Sequence, residues 1–471
     1  KSKYFRYKAH KDVVINGILI VIGVLTLLHL RGILMNRITR KEKRRQQKEI
    51  NFFEEFLRIK NHFFKGINTK LKNVKDSRHP SYIEYSPDII LFTMIMKNVT
   101  ALGSMNRMTA EFNKEECINN VAMSLGYEKL EELPHHDTVN NFLKKLNPVE
   151  IEEIRKYMIK ELFKKRCLEQ YRLLDKYWTI AVDATGIVSF SDRHCEHCLK
   201  REYTNKDTGE VENTIYFHYV LEAKLVVGDM VFSIDTEFIE NENHYEKQDC
   251  ELKAFKRLAE RLKKNYKKLP ICILGDSLYA VEPIFKLCKE YKWQYIFTFK
   301  EGRTKSVWLE FEEIKKIENN NKGKGYTWVN EIVYKENIVN VLEAKLVENK
   351  EKKEFTFITN IPIKEKNIEK ILFAGRSRWR IENEGFNNQK NIKNNIEHLC
   401  CIDYNAMKNH YLLVQIADIL RQLFECGYEL IRSLKASIKE ISSRILESFR
   451  RDTLTPEDIA NSNKRIQIRC L

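Results

Sequence analysis

Two patterns of hydrophobic residues divide the chain. From about residue 36 to 175, apolar residues recur every three or four positions, which predicts amphipathic helices. The clearest apolar face is formed by Phe52, Phe53, Phe56, Ile59 and Phe63. From Trp178 the apolar runs become short and rich in β-branched residues, which favours strands. The pattern therefore predicts an all-helical N-terminal domain over residues 36–175, with the basic faces of a DNA-binding bundle, followed by an α/β region.

Strands and helices alternate between residues 176 and 300. Apolar runs predict strands at 178–182, 216–227, 231–234, 271–274 and 295–299. Helical periodicity predicts helices at 247–264 and 281–291. This order predicts an α/β fold in which a mixed sheet is covered by helices.

The remainder of the chain interrupts and then completes this core. Residues 301–362 contain four short strand-like runs joined by polar connections, which predicts a small antiparallel sheet inserted into the core. Residues 363–430 return to helical periodicity and form the last part of the core. Residues 431–471 are basic and loosely patterned, and we interpret them as a C-terminal tail.

A long apolar run at residues 13–30 stands between basic flanks. Its length fits a transmembrane or signal-anchor segment, and a buried helix is the alternative. Met35 opens a hydrophilic stretch that resembles an ordinary protein start. We therefore expect residues 1–34 to be an upstream extension outside the working protein, and we expect no membrane association.

The charge of the chain favours a polyanionic partner. Its 471 residues include 82 Lys and Arg against 66 Asp and Glu, a formal net charge of +16. Hydrophobic residues make up 43%, a composition that indicates a globular protein and excludes a disordered one. Because the basic residues are spread along the chain, charge favours nucleic acid without locating its site.

The cysteines have an irregular spacing. Eleven of them in a chain of this length argue against a disulfide framework and for a reducing, cytoplasmic setting. Cys195 and Cys198 stand beside histidines, a composition that can bind zinc, and Cys250 is a further candidate ligand. A second cysteine pair at the usual spacing is missing. Zinc is therefore not expected, and reduced structural thiols are the favoured interpretation.

Three carboxylates stand where a sheet-based site would form. Asp183 and Asp276 each follow an apolar run, and open sheets bind ligands at strand ends. Either aspartate alone is equally well explained as a turn residue or a helix N-cap. Glu382 lies four residues after Arg378 on a predicted helix, a spacing that also occurs in ordinary salt-bridged helix faces.

Together these carboxylates suit a pair of hard divalent cations. Mg²⁺ prefers oxygen ligands and keeps several waters, so it needs few protein ligands. Two such ions about 3.5–4 Å apart activate the attacking oxygen and stabilise the leaving oxygen in phosphoryl transfer. The neighbouring cations Arg378, Arg380 and Lys390 are candidates to hold a phosphate backbone. Trp328 is a candidate to stack on a DNA base.

The segments around the carboxylates resemble a known family. Arg378-Trp-Arg-Ile-Glu382, with Phe386 downstream, is similar to the Y-x2-R-x3-E-x6-K motif of bacterial insertion-sequence DDE transposases with a β-rich insert. The segments that resemble the family's other motifs are Ala181-Val-Asp-Ala-Thr-Gly186, Gly275-Asp-Ser-Leu-Tyr279, His194-Cys-Glu-His-Cys198 and Lys247-Gln-Asp-Cys-Glu251. The resemblance extends from about residue 50 to 425.

The resemblance implies a ribonuclease-H-like core and a specific reaction. Asp183, Asp276 and Glu382 would hold two Mg²⁺ or Mn²⁺ ions. The enzyme would cut DNA at the ends of its own insertion sequence and join the freed 3′ ends to target DNA. Its partners would be the terminal inverted repeats, the target DNA and a second copy of the chain, within the nucleoid. The alternative is a catalytically inactive, transposase-derived DNA-binding regulator.

The chain departs from the family motif at two positions. Gly375 occupies the tyrosine position, and Gln389 occupies the lysine position, with Lys390 one residue later. Glu384 is a rival for the third carboxylate, but only Glu382 has an arginine four residues before it. The phosphate contacts are therefore less well defined by sequence than the carboxylates.

Overall fold

The structure, a computed structural model, describes residues 50–464 apart from 193, 242–245, 318–321, 324, 394–395 and 398–399. From Phe52 onward the chain forms one compact unit. The expected extension at residues 1–34 lies outside the described residues. Among the described helices, none combines the length and apolarity needed to span a bilayer.

Helices precede the sheet in the described chain. They are α1 (Phe52–Phe63), α2 (Ile67–Lys72), α3 (Pro87–Val99), α4 (Met105–Phe112), α5 (Glu115–Leu125), α6 (His136–Lys145) and α7 (Pro148–Phe163). Local sequence sets several of their ends. The side chain of Ser104 caps α4, and Asn147 caps α7 with Pro148 at its first position. Gly126 ends α5 at a φ of 87°, which a residue with a side chain rarely adopts.

A mixed sheet of ten strands follows. The strands are β1 (Trp178–Phe190), β2 (Leu199–Thr204), β3 (Val211–Val227), β4 (Met230–Ile239), β5 (Ile271–Gly275), β6 (Gln294–Thr298), β7 (Lys322–Gly323), β8 (Tyr326–Tyr334), β9 (Asn337–Glu348) and β10 (Glu351–Thr359). Their order is β2-β3-β1-β5-β6-β10-β9-β8-β7, and β4 also pairs with β3. β1, β5 and β6 run parallel, and the other neighbours are antiparallel. The predicted mixed α/β architecture is confirmed.

The segment 301–362 extends the main sheet. Its strands β8, β9 and β10 pair antiparallel, as predicted, but β10 also pairs with β6, with Phe357 opposite Thr298. The predicted antiparallel strands are therefore part of the main sheet and do not form a small sheet of their own. The physical reason is that β6 would otherwise present an edge of unpaired backbone groups, which β10 satisfies. Helices α8 (Glu251–Asn265), α9 (Glu282–Tyr291) and α10 (Lys305–Ile317) lie between strands, and sequence analysis missed α10.

The C-terminal part is helical. It contains α11 (Ile368–Ser377), a π-helix (Ile381–Lys393), α12 (Tyr404–Glu425), α13 (Glu429–Ser433), α14 (Ile438–Arg451) and α15 (Pro456–Ser462). The interpretation of residues 431–471 as a tail was wrong for the described part, because α14 buries an apolar face. The Phe449 ring lies 4.8 Å from that of Phe53 in α1 and 5.0 Å from that of Phe112 in α4. Helices from both ends of the chain therefore form one helical layer.

Removing the Phe449 ring tests whether the C-terminal helices belong to this layer. Because Phe449 is 0% exposed, we expect Phe449→Ala to lower the free energy of unfolding by about 3–5 kcal/mol. The measurement is urea unfolding followed by circular dichroism. Phe373→Ala is the matched control, since Phe373 is 65% exposed and its loss is expected to cost little. Equal effects of the two variants would contradict the packing described for α14.

Candidate active site

Two neighbouring strands bring the aspartates together. β1 and β5 are parallel, with Ala181 opposite Leu274. Continuing this register by two residues places Asp183 beside Asp276. Asp276 follows the last residue of β5, as predicted, and its Oδ1 accepts a hydrogen bond from the Leu278 N–H at 2.8 Å. This N-cap fixes the direction of one carboxylate.

Asp183 lies within its strand. The sequence predicted that the strand would end here, but β1 continues to Phe190 because it stays paired with β3. Glu222 of β3 stands opposite Asp183 in that pairing. The continuation of the strand was not evident from sequence, since the three residues that follow Asp183 (Ala184, Thr185 and Gly186) are small or polar. The carboxylate of Asp183 is consequently held by a strand paired on both sides.

Glu382 lies in the π-helix, which comes after β10 and α11 in the chain. Arg378 lies between α11 and the π-helix and is 7% exposed. Its Nη1 atom lies 2.6 Å from Oε1 of Glu382 and 3.7 Å from Oδ2 of Asp183. One guanidinium therefore contacts the helix glutamate and the sheet aspartate at once. This contact joins the first and third predicted carboxylates.

Burial and like charge raise the pKa of Asp183 from 3.8 to about 7. Burial is the largest cause, and the carboxylates of Glu382, Glu251 and Asp276 raise the pKa further, while Arg378 lowers it. The site thus concentrates more negative charge than its arginine neutralises. Such an all-oxygen donor set fits Mg²⁺ or Mn²⁺, which would supply the missing positive charge.

Sequence analysis missed Glu251 as a member of this cluster. It is the first residue of α8, and its Oε1 accepts a hydrogen bond from the Tyr279 hydroxyl at 2.6 Å. Burial raises the pKa of Glu251, the Tyr279 hydrogen bond lowers it, and Asp276 raises it. The available signal was the family-like segment that ends at Glu251, since an acid in the first turn of a helix attracts no attention by itself.

The rival carboxylate does not join the cluster. Glu384 is exposed, and its Oε2 accepts a hydrogen bond from Asn388 Nδ2 at 3.4 Å on its own helix. Glu382, in contrast, contacts the buried arginine that also reaches Asp183. The arrangement favours Glu382 as the third acid.

Comparison with known families agrees with this arrangement. A family model described as the transposase DDE domain matches residues 175–420, more than half of the chain. The chain belongs to the transposase DDE-domain family. No match to a curated protein was found. The predicted family is confirmed, and membership implies a protein that acts on DNA in a family that generally uses divalent metal ions.

The insertion explains the first departure of this transposase from the family motif. Gly375 lies in α11 against Phe357 of β10. A Cβ atom at residue 375 would lie 2.6 Å from the Phe357 Cε1 atom. A tyrosine therefore cannot occupy this position unless the Phe357 ring moves.

The π-helix accounts for the second departure. Gln389 is 0% exposed, and its Nε2 donates to Gln415 at 3.0 Å and to Asp418 at 2.9 Å in α12. Lys390 points to a different environment, with Nζ 2.6 Å from Oε1 of Glu397. A π-helix has more residues per turn than an α-helix. Lys390, eight residues after Glu382, therefore lies about two turns away, as a residue seven positions away does in an α-helix. The wider helix thus compensates for the one-residue shift of the lysine.

A groove of about 360 Å³ lies beside the part of β1 that follows Asp183. Its lining residues include two cations, Arg201 and Lys390, the carboxylate of Glu397, which pairs with Lys390, and three aromatic rings, those of Tyr203, Phe217 and Tyr219. Gly186 also lines it, three residues after Asp183 and hence about 10 Å along an extended strand. The groove therefore offers two cationic side chains and aromatic surface along the same strand as Asp183.

Two predicted DNA contacts lie elsewhere. Trp328 is 7% exposed and packs in the core of the transposase, so its ring has no free face for a base, and the stacking prediction was wrong. Arg380 pairs with Asp229 at 2.6 Å and lines a different cavity with Thr179, at the start of β1. Lys390 alone among the three predicted cations lines the groove beside the carboxylates.

The three cysteines that were predicted as possible zinc ligands do not all lie together. Cys195 and Cys198 have their Sγ atoms 3.6 Å apart, whereas Cys250 is exposed and precedes α8 outside this cluster. His218 of β3 joins the pair, and sequence analysis missed it because it lies twenty residues beyond Cys198. A histidine within an otherwise apolar and aromatic strand was the only available signal.

The raised pKa of Asp183 predicts that the wild type and an Asp183→Asn variant differ in stability by an amount that depends on pH. In the unfolded chain this carboxyl ionises near pH 4, and in the folded protein at about 7, so the folded state loses stability as the pH rises through that window. We expect Asp183→Asn to remove this cost, which amounts to at most about 4 kcal/mol. The variant should therefore unfold at a higher temperature than the wild type at pH 8 in chelator.

Thermal unfolding at pH 4.5 and pH 8 measures this difference. The gain should shrink toward the lower pH, where the Asp183 carboxyl of the folded wild type is protonated and therefore neutral. Asp207→Asn, at an exposed loop residue, is the matched control. A gain that is the same at both pH values would contradict the repulsion described for Asp183.

Proposed function

We propose that this protein is an active DDE transposase with a ribonuclease-H-like core. It would cut DNA at the ends of its own insertion sequence and join the 3′ ends to target DNA by two-metal-ion phosphoryl transfer. The observation that carries the proposal is the convergence of Asp183 and Glu382 on Arg378, with Asp276 on the adjoining strand.

The carboxylates have defined tasks in this proposal. Asp183, Asp276 and Glu382 would hold two Mg²⁺ or Mn²⁺ ions, which activate the attacking oxygen and stabilise the leaving oxygen. Because burial raises the pKa of Asp183 to about 7, this carboxyl exchanges its proton for a cation near neutral pH. Arg378 holds Glu382 near Asp183 before the cations bind.

The groove beside β1 is the proposed path of the DNA backbone. Lys390 and Arg201 present cations to it, and both suit phosphate oxygens. Tyr203 is 45% exposed and offers a ring at the same wall. Two DNA ends must be joined, so the proposal includes a homodimer bound to both terminal inverted repeats.

An inactive DNA-binding regulator is the alternative function. Such a protein would have no need to keep buried carboxylates that repel one another, because their burial disfavours the folded state. The raised pKa of both Asp183 and Glu251 therefore favours an active enzyme. Cleavage assays separate the two functions directly.

Cleavage of end-containing DNA tests the proposal. Protein starting at Met35 should nick linear DNA that carries the sequences flanking its own reading frame when Mg²⁺ or Mn²⁺ is added. Asp183→Asn, Asp276→Asn and Glu382→Gln should each lower the cleavage rate at least about 100-fold, since each removes a metal ligand. Glu384→Gln should keep the wild-type rate and serves as the matched control.

Binding of the same DNA by gel shift completes this test. The three inactive variants should still bind, because the groove cations are unchanged. Wild-type protein that binds these ends without cutting them in either metal would support the regulator instead. Cleavage that survives in all three variants would show that the acids were assigned wrongly.

The groove cations make a second, separate prediction. Lys390→Ala and Arg201→Ala should each reduce the slope of log affinity against log salt concentration by about 1, because each removes one phosphate contact. Fluorescence anisotropy with labelled duplex DNA at 50–200 mM salt gives this slope. Lys370→Ala, next to Arg380 on the other cavity, should leave it unchanged. Unchanged slopes in both groove variants would place the DNA elsewhere.

A further inference from the structure

Three metal-binding side chains meet away from the carboxylates. Cys195 and Cys198 lie in and at the end of the connection from β1 to β2, and His218 lies in β3. Nε2 of His218 is 3.4 Å from Sγ of Cys195 and 3.3 Å from Sγ of Cys198. With the two sulfurs 3.6 Å apart, the three atoms form a nearly equilateral triangle.

The size of this triangle matches one tetrahedral zinc ion. With Zn–S bonds of about 2.3 Å and a Zn–N bond of about 2.0 Å, tetrahedral angles separate two sulfurs by about 3.8 Å and sulfur from nitrogen by about 3.5 Å. The observed separations of 3.6, 3.4 and 3.3 Å each lie within about 0.2 Å of these values. A single ion at the centre would therefore contact all three side chains without rearrangement.

The two cysteines are not joined to each other. Both are free thiols. A sulfur separation of 3.6 Å is also far longer than a disulfide bond of about 2.05 Å.

We propose that Cys195, Cys198 and His218 bind a structural zinc ion. Both thiols lose their protons to solvent when Zn²⁺ binds, and the fourth coordination position is open to water or a further ligand. This proposal reverses the expectation from sequence that zinc is absent. It replaces Cys250 with His218, because β3 brings a histidine to the cysteines that are close in the chain.

The zinc ion would stabilise the position of β2, which forms one wall of the groove that contains Arg201 and Lys390. Cys198 directly precedes β2, whose third residue is Arg201. The Asn241 side chain donates to the Cys198 carbonyl at 2.8 Å, so the same point is tied to the end of β4. His218 packs on Tyr404 of α12 with ring centroids 4.3 Å apart. Zinc would therefore fix β2 against β3 and the helical layer.

Elemental analysis of the full chain tests the proposal. Protein purified without chelator should contain about one zinc per chain, and X-ray absorption at the zinc edge should show two sulfur ligands. Cys195→Ser, Cys198→Ser and His218→Ala should each lower the zinc content at least fivefold. Cys250→Ser should retain it and is the matched control.

Measurements on the wild type keep the test independent of variant folding. Thiol reagent added to native protein should release zinc in step with the modification of two cysteines, and Co²⁺ substitution should give thiolate charge-transfer absorption. Protein without zinc would overturn the proposal, whether its thiols are free or oxidised. Zinc that survives in the Cys195 and Cys198 variants would also overturn it. Zinc content is measured without DNA cleavage, so either proposal can fail alone.

Discussion

Repulsion among buried carboxylates is the constraint on which the rest of this structure depends. Asp183 and Asp276 come from adjacent parallel strands, Glu382 from a distant helix and Glu251 from the start of α8. Burial, together with their proximity, raises the pKa of Asp183 to about 7, so the cluster opposes folding unless cations or protons neutralise it. A rigid sheet, extended by pairing on both sides of β1 and β5, holds the groups together against that repulsion.

The positive charge of Arg378 partly offsets this repulsion. Its guanidinium contacts Glu382 and Asp183 while its own side chain is 8% exposed. The packing beneath it depends on the insertion, since Phe357 of β10 lies against Gly375 one turn before Arg378. The β-rich insertion therefore packs against the helix that leads to Arg378 in addition to enlarging the sheet. The close approach of Phe357 suits a glycine at residue 375.

The two proposed metal sites have different ligand chemistry and therefore different proposed roles. Carboxylate oxygens at Asp183 and Asp276 suit hard cations that keep waters and take part in phosphoryl transfer. Sulfur and imidazole at Cys198 and His218 suit zinc that only connects segments of the chain. The groove with Lys390 is lined by residues of β2 and of the π-helix, so segments from both proposed sites reach the proposed path of the DNA. One set of ligands would act on the substrate, and the other would shape the surface that receives it.

Sequence by itself predicted the candidate acids and the order of most elements of the core. Asp276 follows an apolar run, and Glu382 follows an arginine by four residues, and both signals are local. Tertiary structure alone decided which distant residues join them. The roles of Glu251 and His218 depend on contacts between segments far apart in the chain, and so does the pairing of β10 with β6. Local periodicity carries no information about such contacts. The burial of Trp328 and the π-helix that reorients Lys390 are likewise set by packing, because the same residue types occur equally well on an exposed surface or a regular helix.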